Sequence, residues 1–248
     1  MSAPFLNRIE AGQALAARLL AMRLCQPIVV LALPRGGVPI GAEVARALQA
    51  PLDLVLVRKI GAPGEPELAV AALVDGDPPQ LVVDPAALAL AGVDRAYVEA
   101  QALRERPEIE RRRQLYLAHR APAVVEGATA IVVDDGIATG TTMRAALLAL
   151  RRRHPARLVL AVPVAPRDTL ARLRGEVDDI VCLSQPDPFY AVGEHYRDFD
   201  QLTDQQVLAA LAAAECPGVP KRPGAGSASA APTASTAVQT NAADGPPH

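Results

Sequence analysis

The 248-residue sequence predicts an α/β protein built on a mostly parallel, twisted sheet flanked by helices. Three observations carry this. Strand and helix signals alternate from the start of the chain, as in a sheet covered by helices on both faces. Ala130, Ile131, Val132 and Val133 form a continuous apolar run, as a parallel strand buried on both sides requires. Two acidic residues and a hydroxyl-rich loop follow that run directly, at the carboxyl end where open α/β sheets bind ligands.

The elements follow in order. Residues 8–22 read as an amphipathic helix, 28–33 as a strand, and 38–49 as a helix opening after a glycine pair. Residues 52–57 are the second strand. Residues 68–74 and 81–84 bracket Asp75-Gly76-Asp77-Pro78-Pro79 and read as a β-hairpin rather than another βαβ unit. Residues 94–117 form a long charged helix. Its Arg104, Arg106, Arg111, Arg112 and Arg113 interleave with Glu99, Glu105, Glu108 and Glu110 at i,i+3 and i,i+4 spacing, which describes a solvated, ion-paired surface rather than a nucleic-acid stripe. The motif strand is 130–134, with a helix over 141–153 behind it. Strands at 158–164 and 180–183 are joined by a helix near 167–174. A last helix spans 203–214 with Thr203 as its N-cap.

Composition bounds the chain further. Half the residues are hydrophobic, yet only 3% are aromatic and none is Trp, so Ala, Val and Leu must fill the core. A net charge of −2 argues against nucleic-acid or anionic-membrane partners. Cys25, Cys182 and Cys216 are scattered and odd in number, which fits plain thiols in a reducing cytoplasm. No apolar run reaches membrane-spanning length, and Arg8, Glu10 and Arg18 break any signal-peptide core. After residue 216 the composition shifts to Pro, Gly, Ser, Ala and Thr. One domain over 1–216 and a disordered tail over 217–248 are therefore expected.

The chemistry gathers after two strands. Asp134 and Asp135 offer carboxylates to sugar hydroxyls or a metal, outside the core. Ala138, Thr139, Gly140, Thr141 and Thr142 then enter a helix with free N–H groups, hydroxyls and a positive dipole end, which suits an anion. Earlier, Pro34-Arg35-Gly36-Gly37 follows the first strand, with glycines that permit close backbone approach and an Arg fork suited to diphosphate oxygens. Arg58 and Lys59 end the second strand, before the flexible-looking Gly61-Ala62-Pro63-Gly64-Glu65-Pro66. Phe189 and Tyr190 follow the last core strand and can stack on a ring.

This pattern resembles the PRPP-binding motif of type I phosphoribosyltransferases, in which two acidic residues precede a Thr-Gly-x-Thr loop; PRPP is 5-phosphoribosyl 1-pyrophosphate. The run from Phe189 to Leu202 resembles the matching segment of a family of uncharacterised phosphoribosyltransferases, and the likeness spans residues 5–214. The resemblance implies a type I fold with a flexible hairpin region and a small C-terminal hood. It assigns the ribose hydroxyls to Asp134 and Asp135, the 5′-phosphate to Ala138 through Thr142, and pyrophosphate to Arg35, Gly36, Gly37, Arg58 and Lys59. The Pro34–Gly37 loop would contain a cis peptide. Phe189 and Tyr190 would form the acceptor hood. Mg2+ would be held by Asp134 and Asp135, directly or through water. The implied reaction displaces pyrophosphate from PRPP by a nitrogenous base, with Asp134, Asp135 and Arg35 as catalytic residues and a homodimer left open. Ala138 stands where hypoxanthine-guanine-type enzymes carry an Asp, as it does in adenine-type enzymes, so the acceptor's proton is handled elsewhere or not at all. The alternative is a regulatory protein that senses PRPP or a nucleotide in the same pocket without turnover; a ribosyl-phosphate hydrolase is a third reading.

Overall fold

The computed structural model describes residues 4–214, except 77 and 119. Helix α1 (Arg8–Ala21) starts at Asn7, whose side chain accepts from the Ile9 and Glu10 N–H groups. Strand β1 (Ile28–Ala32), helix α2 (Gly37–Leu48) and the short β2 (Leu52–Leu54) follow. Three antiparallel strands come next: β3 (Val57–Ala62), β4 (Glu65–Val74) and β5 (Gln80–Val83). Helices α3 (Pro85–Ala91) and α4 (Arg95–Leu117) lead back to β6 (Thr129–Val133) and α5 (Thr141–Arg151). Then come β7 (Arg157–Val164), α6 (Arg167–Leu173), β8 (Asp179–Ser184) and α7 (Asp204–Ala213).

The central sheet has five parallel strands in the order β2-β1-β6-β7-β8. Side-chain alternation divides its residues between two cores. Val30, Ala32, Ile131, Val133 and Val159 face α1, α2 and α7, meeting Leu15, Leu19, Ile40, Val44 and Val207. Val29, Leu31, Val132, Leu158 and Leu160 face the other way, onto Met143, Leu147 and Leu150 of α5 and Leu170 of α6. Burial on both faces explains why these strands read as unbroken apolar runs. A third, smaller core joins Ile60, Val70 and Leu73 of the antiparallel sheet to Val98, Ala102 and Ile109 of α4.

The structure corrects several sequence expectations. The run over 52–57 is not one strand: the chain leaves the parallel sheet after Leu54 and opens a second sheet at Val57. Both parts are apolar because each is buried in its own core, so the break carries no compositional mark. Arg58 and Lys59 consequently lie within β3, not at a strand end over the parallel sheet. The segment 61–66 is the tip of the β3–β4 hairpin, turning tightly at Pro63 and Gly64, and a Cβ on Gly61 would meet the Pro66 backbone at 2.5 Å. Helix α3 was not expected, although Asp84 caps it through the Ala86 and Ala87 N–H groups and a proline stands at its first turn. The expected hairpin over 68–84 is present as β4 and β5. Helix α4 is ion-paired as its spacing implied, with Glu108 taking both Arg111 and Arg112 and Glu99 taking Arg95, each at 2.8 Å. The tail over 217–248 lies outside the described residues. No helix among the described residues is long and apolar enough to cross a membrane.

Candidate active site

Two loops meet at the carboxyl edge of the parallel sheet. After β1 the Leu33 N–H donates to the Val133 carbonyl at 3.0 Å, which pins the Pro34–Gly37 turn against the end of β6. The Pro34–Arg35 peptide is cis, as the resemblance implied. A Cβ on Gly36 would lie 2.0 Å from Asp135 Oδ2, and one on Gly37 would lie 2.8 Å from the Val133 carbonyl oxygen. The glycine pair is therefore what allows the first loop to touch the acidic pair of the second.

The acidic pair is more buried than its place beyond the core implied. Asp134 Oδ1 accepts the Asp135 N–H at 2.9 Å, while Asp135 Oδ2 accepts Arg8 Nε at 2.9 Å. Burial raises the carboxyl of Asp134 well above the ordinary range, and the neighbouring Asp135 charge raises it further. Burial raises Asp135 as well; Arg8 opposes that shift without cancelling it. Arg8 is held in turn: its guanidinium lies 3.9 Å over the Phe199 ring, and its Nη1 donates to the Asp200 carbonyl at 2.9 Å. The Tyr196 hydroxyl donates to the Asp135 carbonyl, and burial pushes its phenol up. A parallel bridge between Phe5 and Tyr196 ties the N-terminal segment to this C-terminal hood.

Beyond the pair the chain is held close and then opens. A Cβ on Gly136 would meet Val192 Cγ1 at 2.5 Å, and the Ile137 N–H donates to the Val164 carbonyl at 3.0 Å. Ala138 and Thr139 are exposed. Gly140, at φ +83°, turns the chain into α5, and Thr141 and Thr142 fill the first turn half-buried. A cavity of about 590 Å³ adjoins this loop, lined by Thr139, Gly140, Thr141, Arg144, Thr169 and Arg172 among others.

The remaining site residues scatter. Arg35 Nη1 stands 3.9 Å from Asp204 Oδ1, at the start of α7, and Asp204 also accepts from the Tyr116 hydroxyl. Burial and that hydrogen bond push Tyr116 up to about 12. Arg58 Nε is committed to Glu105 of α4 at 2.7 Å, and Lys59 is exposed on β3, so the described contacts of Arg58 lead away from the two loops. Phe189 packs against the core and stacks on His195 with ring centroids 5.3 Å apart, whereas Tyr190 is 75% exposed. Of the two expected hood aromatics, only Tyr190 is open to a ligand ring. Sequence reasoning passed over Arg8, Tyr196 and Asp204. Arg8 is 127 residues from its carboxylate partner, and no local spacing announces such a contact.

Among the described residues no three His, Cys, Asp or Glu side chains gather to hold a metal. Asp134 and Asp135 supply two adjacent carboxylates, which matches the way Mg2+ is usually held, by one or two carboxylates with substrate oxygens completing its shell. The larger cavity, about 890 Å³, lies away from both loops, between the C-terminal end of α5, α4 and the segment before β6. Several of its charges already serve the chain: Arg153 Nη2 donates to the Ala123 carbonyl at 3.0 Å, and Asp53 Oδ2 accepts the Ala123 N–H at 2.8 Å. Size alone does not make it the reactive site.

A five-stranded parallel sheet flanked by helices, with an acidic pair and a hydroxyl-rich loop at its carboxyl edge, has the architecture of a phosphoribosyltransferase. The family model of the phosphoribosyl transferase domain matches residues 6–198, and the chain belongs to that family. The crystal structure of TT1426 from Thermus thermophilus is similar, with a TM-score of 0.74 and 44% sequence identity, covering 84% of this chain and 97% of that one. Two curated Mycobacterium tuberculosis relatives, named "Putative phosphoribosyl transferase Rv0571c" (strain ATCC 25618 / H37Rv) and "Putative phosphoribosyl transferase MT0597" (strain CDC 1551 / Oshkosh), are each 42% identical over 207 residues. That match covers 84% of this chain and 46% of each relative, so the chain spans about half the length of the curated relatives it matches.

Proposed function

We propose that the protein transfers the phosphoribosyl group of PRPP to a nitrogenous base or related nucleophile, with Mg2+ as cofactor. The observation that carries this is the contact between the two loops, with Gly36 pressed against the Asp135 carboxylate. It sets a basic, glycine-lined turn beside a carboxylate pair and a helix N-terminus, in the order that pyrophosphate, ribose and 5′-phosphate occupy along PRPP.

In this reading Asp134 and Asp135 accept hydrogen bonds from the ribose 2′ and 3′ hydroxyls. Their raised pKa values express the cost of holding charge in a buried place, and donors arriving with the substrate relieve that cost. The loop from Ala138 to Thr142 receives the 5′-phosphate. The bond from C1 to the pyrophosphate oxygen breaks and its electron pair leaves with pyrophosphate, the acceptor nitrogen bonds to C1, and the proton that nitrogen carried passes to water or to the released pyrophosphate. Arg35 turns from Asp204 to meet that leaving group, with Gly36 and Gly37 lining its path; Arg58 and Lys59 reach it only if β3 and its turn close over the site. Tyr190 stacks on the acceptor ring. When bound, Mg2+ supplies positive charge to the pyrophosphate and ribose oxygens. Nothing here requires a covalent nucleophile; Cys182, its thiol pushed up to about 11 by burial, is unsuited to that role.

A second reading, a sensor that binds PRPP without turnover, draws on one observation: Arg35 is turned toward Asp204. Single-turnover pyrophosphate release beside equilibrium PRPP binding separates the two. For a transferase, Arg35→Ala lowers turnover more than affinity, because its contact strengthens as the bond breaks. Arg35→Lys rescues in part, since an ammonium lacks the bidentate fork. If no acceptor from a broad base panel releases pyrophosphate above background in the wild type, the transferase reading falls and the sensor stands.

A further inference from the structure

We infer that Thr169 and Arg172 of α6 are positioning residues that orient the phosphate loop from behind, turning the Thr139 and Gly140 N–H groups toward the bound anion. The inference rests on the reading of Ala138 to Thr142 as the 5′-phosphate site.

Thr169 is 1% exposed. A buried helical threonine ordinarily satisfies its hydroxyl on the carbonyl one turn back. Thr169 instead donates Oγ1 to the Ala138 carbonyl, 31 residues away, at 2.8 Å. Arg172 Nη2 donates to Thr169 Oγ1 at 2.8 Å and reaches the Thr139 carbonyl at 3.4 Å, while its Nη1 holds Asp168 at 3.0 Å. Two successive carbonyls of the loop are thus drawn toward α6. In a planar trans peptide the carbonyl of one residue and the N–H of the next point in opposite directions. The peptides joining Ala138 to Thr139 and Thr139 to Gly140 are trans, so the Thr139 and Gly140 N–H groups point away from α6. Among the described residues neither N–H has a protein acceptor. Packing enforces the arrangement: a Cβ on Gly140, itself at φ +83°, would meet Thr169 Cγ2 at 2.7 Å. The Arg172 charge beside the Thr139 carbonyl also polarises that peptide, which makes the Gly140 N–H a better donor to an anion.

The test titrates ribose 5-phosphate and, separately, pyrophosphate into the full-length protein as wild type, Thr169→Val, Thr169→Ser and Arg172→Ala. Calorimetry gives affinity, and amide NMR reads the Thr139 and Gly140 resonances. Thr169→Val keeps the methyl that packs on Gly140 and removes only the hydroxyl. It should weaken ribose 5-phosphate about tenfold, the size of one well-placed hydrogen bond, and leave pyrophosphate unchanged. Thr169→Ser should restore affinity, and Arg172→Ala should weaken ribose 5-phosphate by a smaller factor. In the wild type the two amide resonances should shift downfield on binding, and less so in Thr169→Val. Unchanged ribose 5-phosphate affinity in Thr169→Val overturns the inference alone. Equal weakening of both ligands, with no rescue by serine, overturns it in favour of a purely structural role. A wild type that binds pyrophosphate or PRPP but no ribose 5-phosphate removes the phosphate-loop reading and this inference with it.

Discussion

Asp53 lies within the short parallel strand β2 and the Asp134–Asp135 pair just past the end of β6, and the chain treats these carboxylates oppositely. Asp53, at 9% exposure, has an acceptor role on each oxygen: Oδ1 takes the Leu54 N–H and Oδ2 takes the Ala123 N–H, both at 2.8 Å. It fastens the segment before β6 onto β2, where Arg120 Nη2 also donates to the Leu52 carbonyl at 3.3 Å. Asp134 takes its neighbour's N–H and Asp135 takes Arg8, but the two carboxyls also face each other, and burial leaves both with raised pKa values. Charge that is fully satisfied by the chain builds structure. Charge held with unmet demand for donors is available to a ligand, at some loss of stability in the free protein.

Replacing the pair tests the ligand side of this contrast and should have the largest effect. Asp134→Asn with Asp135→Asn removes two charge-assisted acceptors, which is expected to weaken Mg-PRPP binding about 100-fold or more while the protein stays folded. Calorimetric titration giving wild-type affinity would refute the ribose assignment.

The structural side is probed by Asp53→Ala, which leaves the Ala123 N–H without its acceptor. A loss of about 1–3 kcal/mol in denaturant unfolding is expected, with ligand affinity unaltered. Weakened PRPP binding of a still-folded variant would erase the distinction between the two regions.

Asp134→Asn alone sharpens it further. A carboxyl raised above its unfolded value, near 3.8, favours the folded state most below that value, and the advantage is lost as pH rises through the folded pKa. The asparagine keeps the Oδ1 acceptor for the Asp135 N–H and carries no charge. The variant should therefore melt higher than wild type at pH 8, with the gap closing toward pH 3. A variant less stable than wild type at pH 8 would contradict the claim that this charge is held at a cost.

The smallest effect belongs to a charge outside either region. Glu108 is lowered to about 2 by its hydrogen bonds to Arg111 and Arg112, yet it sits on the solvated face of α4. Glu108→Gln should change stability by no more than about 1 kcal/mol and leave ligand binding alone, because water and salt screen exposed pairs. A larger drop in melting temperature would mean that α4 depends on this pair rather than on Val98, Ala102 and Ile109.

Much of the fold could be read along the chain. The strands β1, β6 and β7 announced themselves because two-sided burial demands uninterrupted apolar residues, and α7 was marked by Thr203, which forms a capping box with Gln206. The acidic pair and the hydroxyl loop were legible because their chemistry is local: residue types, adjacency and the end of a strand suffice. Helix α3 carried a signal that went unread, Asp84 before Pro85 with Gly92 closing it in a left-handed turn. The switch of sheets between Leu54 and Val57 carried none, since Val55 and Leu56 are as buried as their neighbours.

The sequence by itself determined the layered parallel fold, the two loops and the candidate reactive carboxylates, because periodicity, turn residues and strand ends are properties of neighbouring residues. Only the tertiary structure decided that Arg8 reaches Asp135 from the other end of the chain, that Arg35 faces Asp204, that Arg58 is drawn away to Glu105, and that Thr169 grips the back of the loop over 138–142. Each of those contacts joins residues far apart in sequence, where packing of whole elements, and not local pattern, sets which side chains meet.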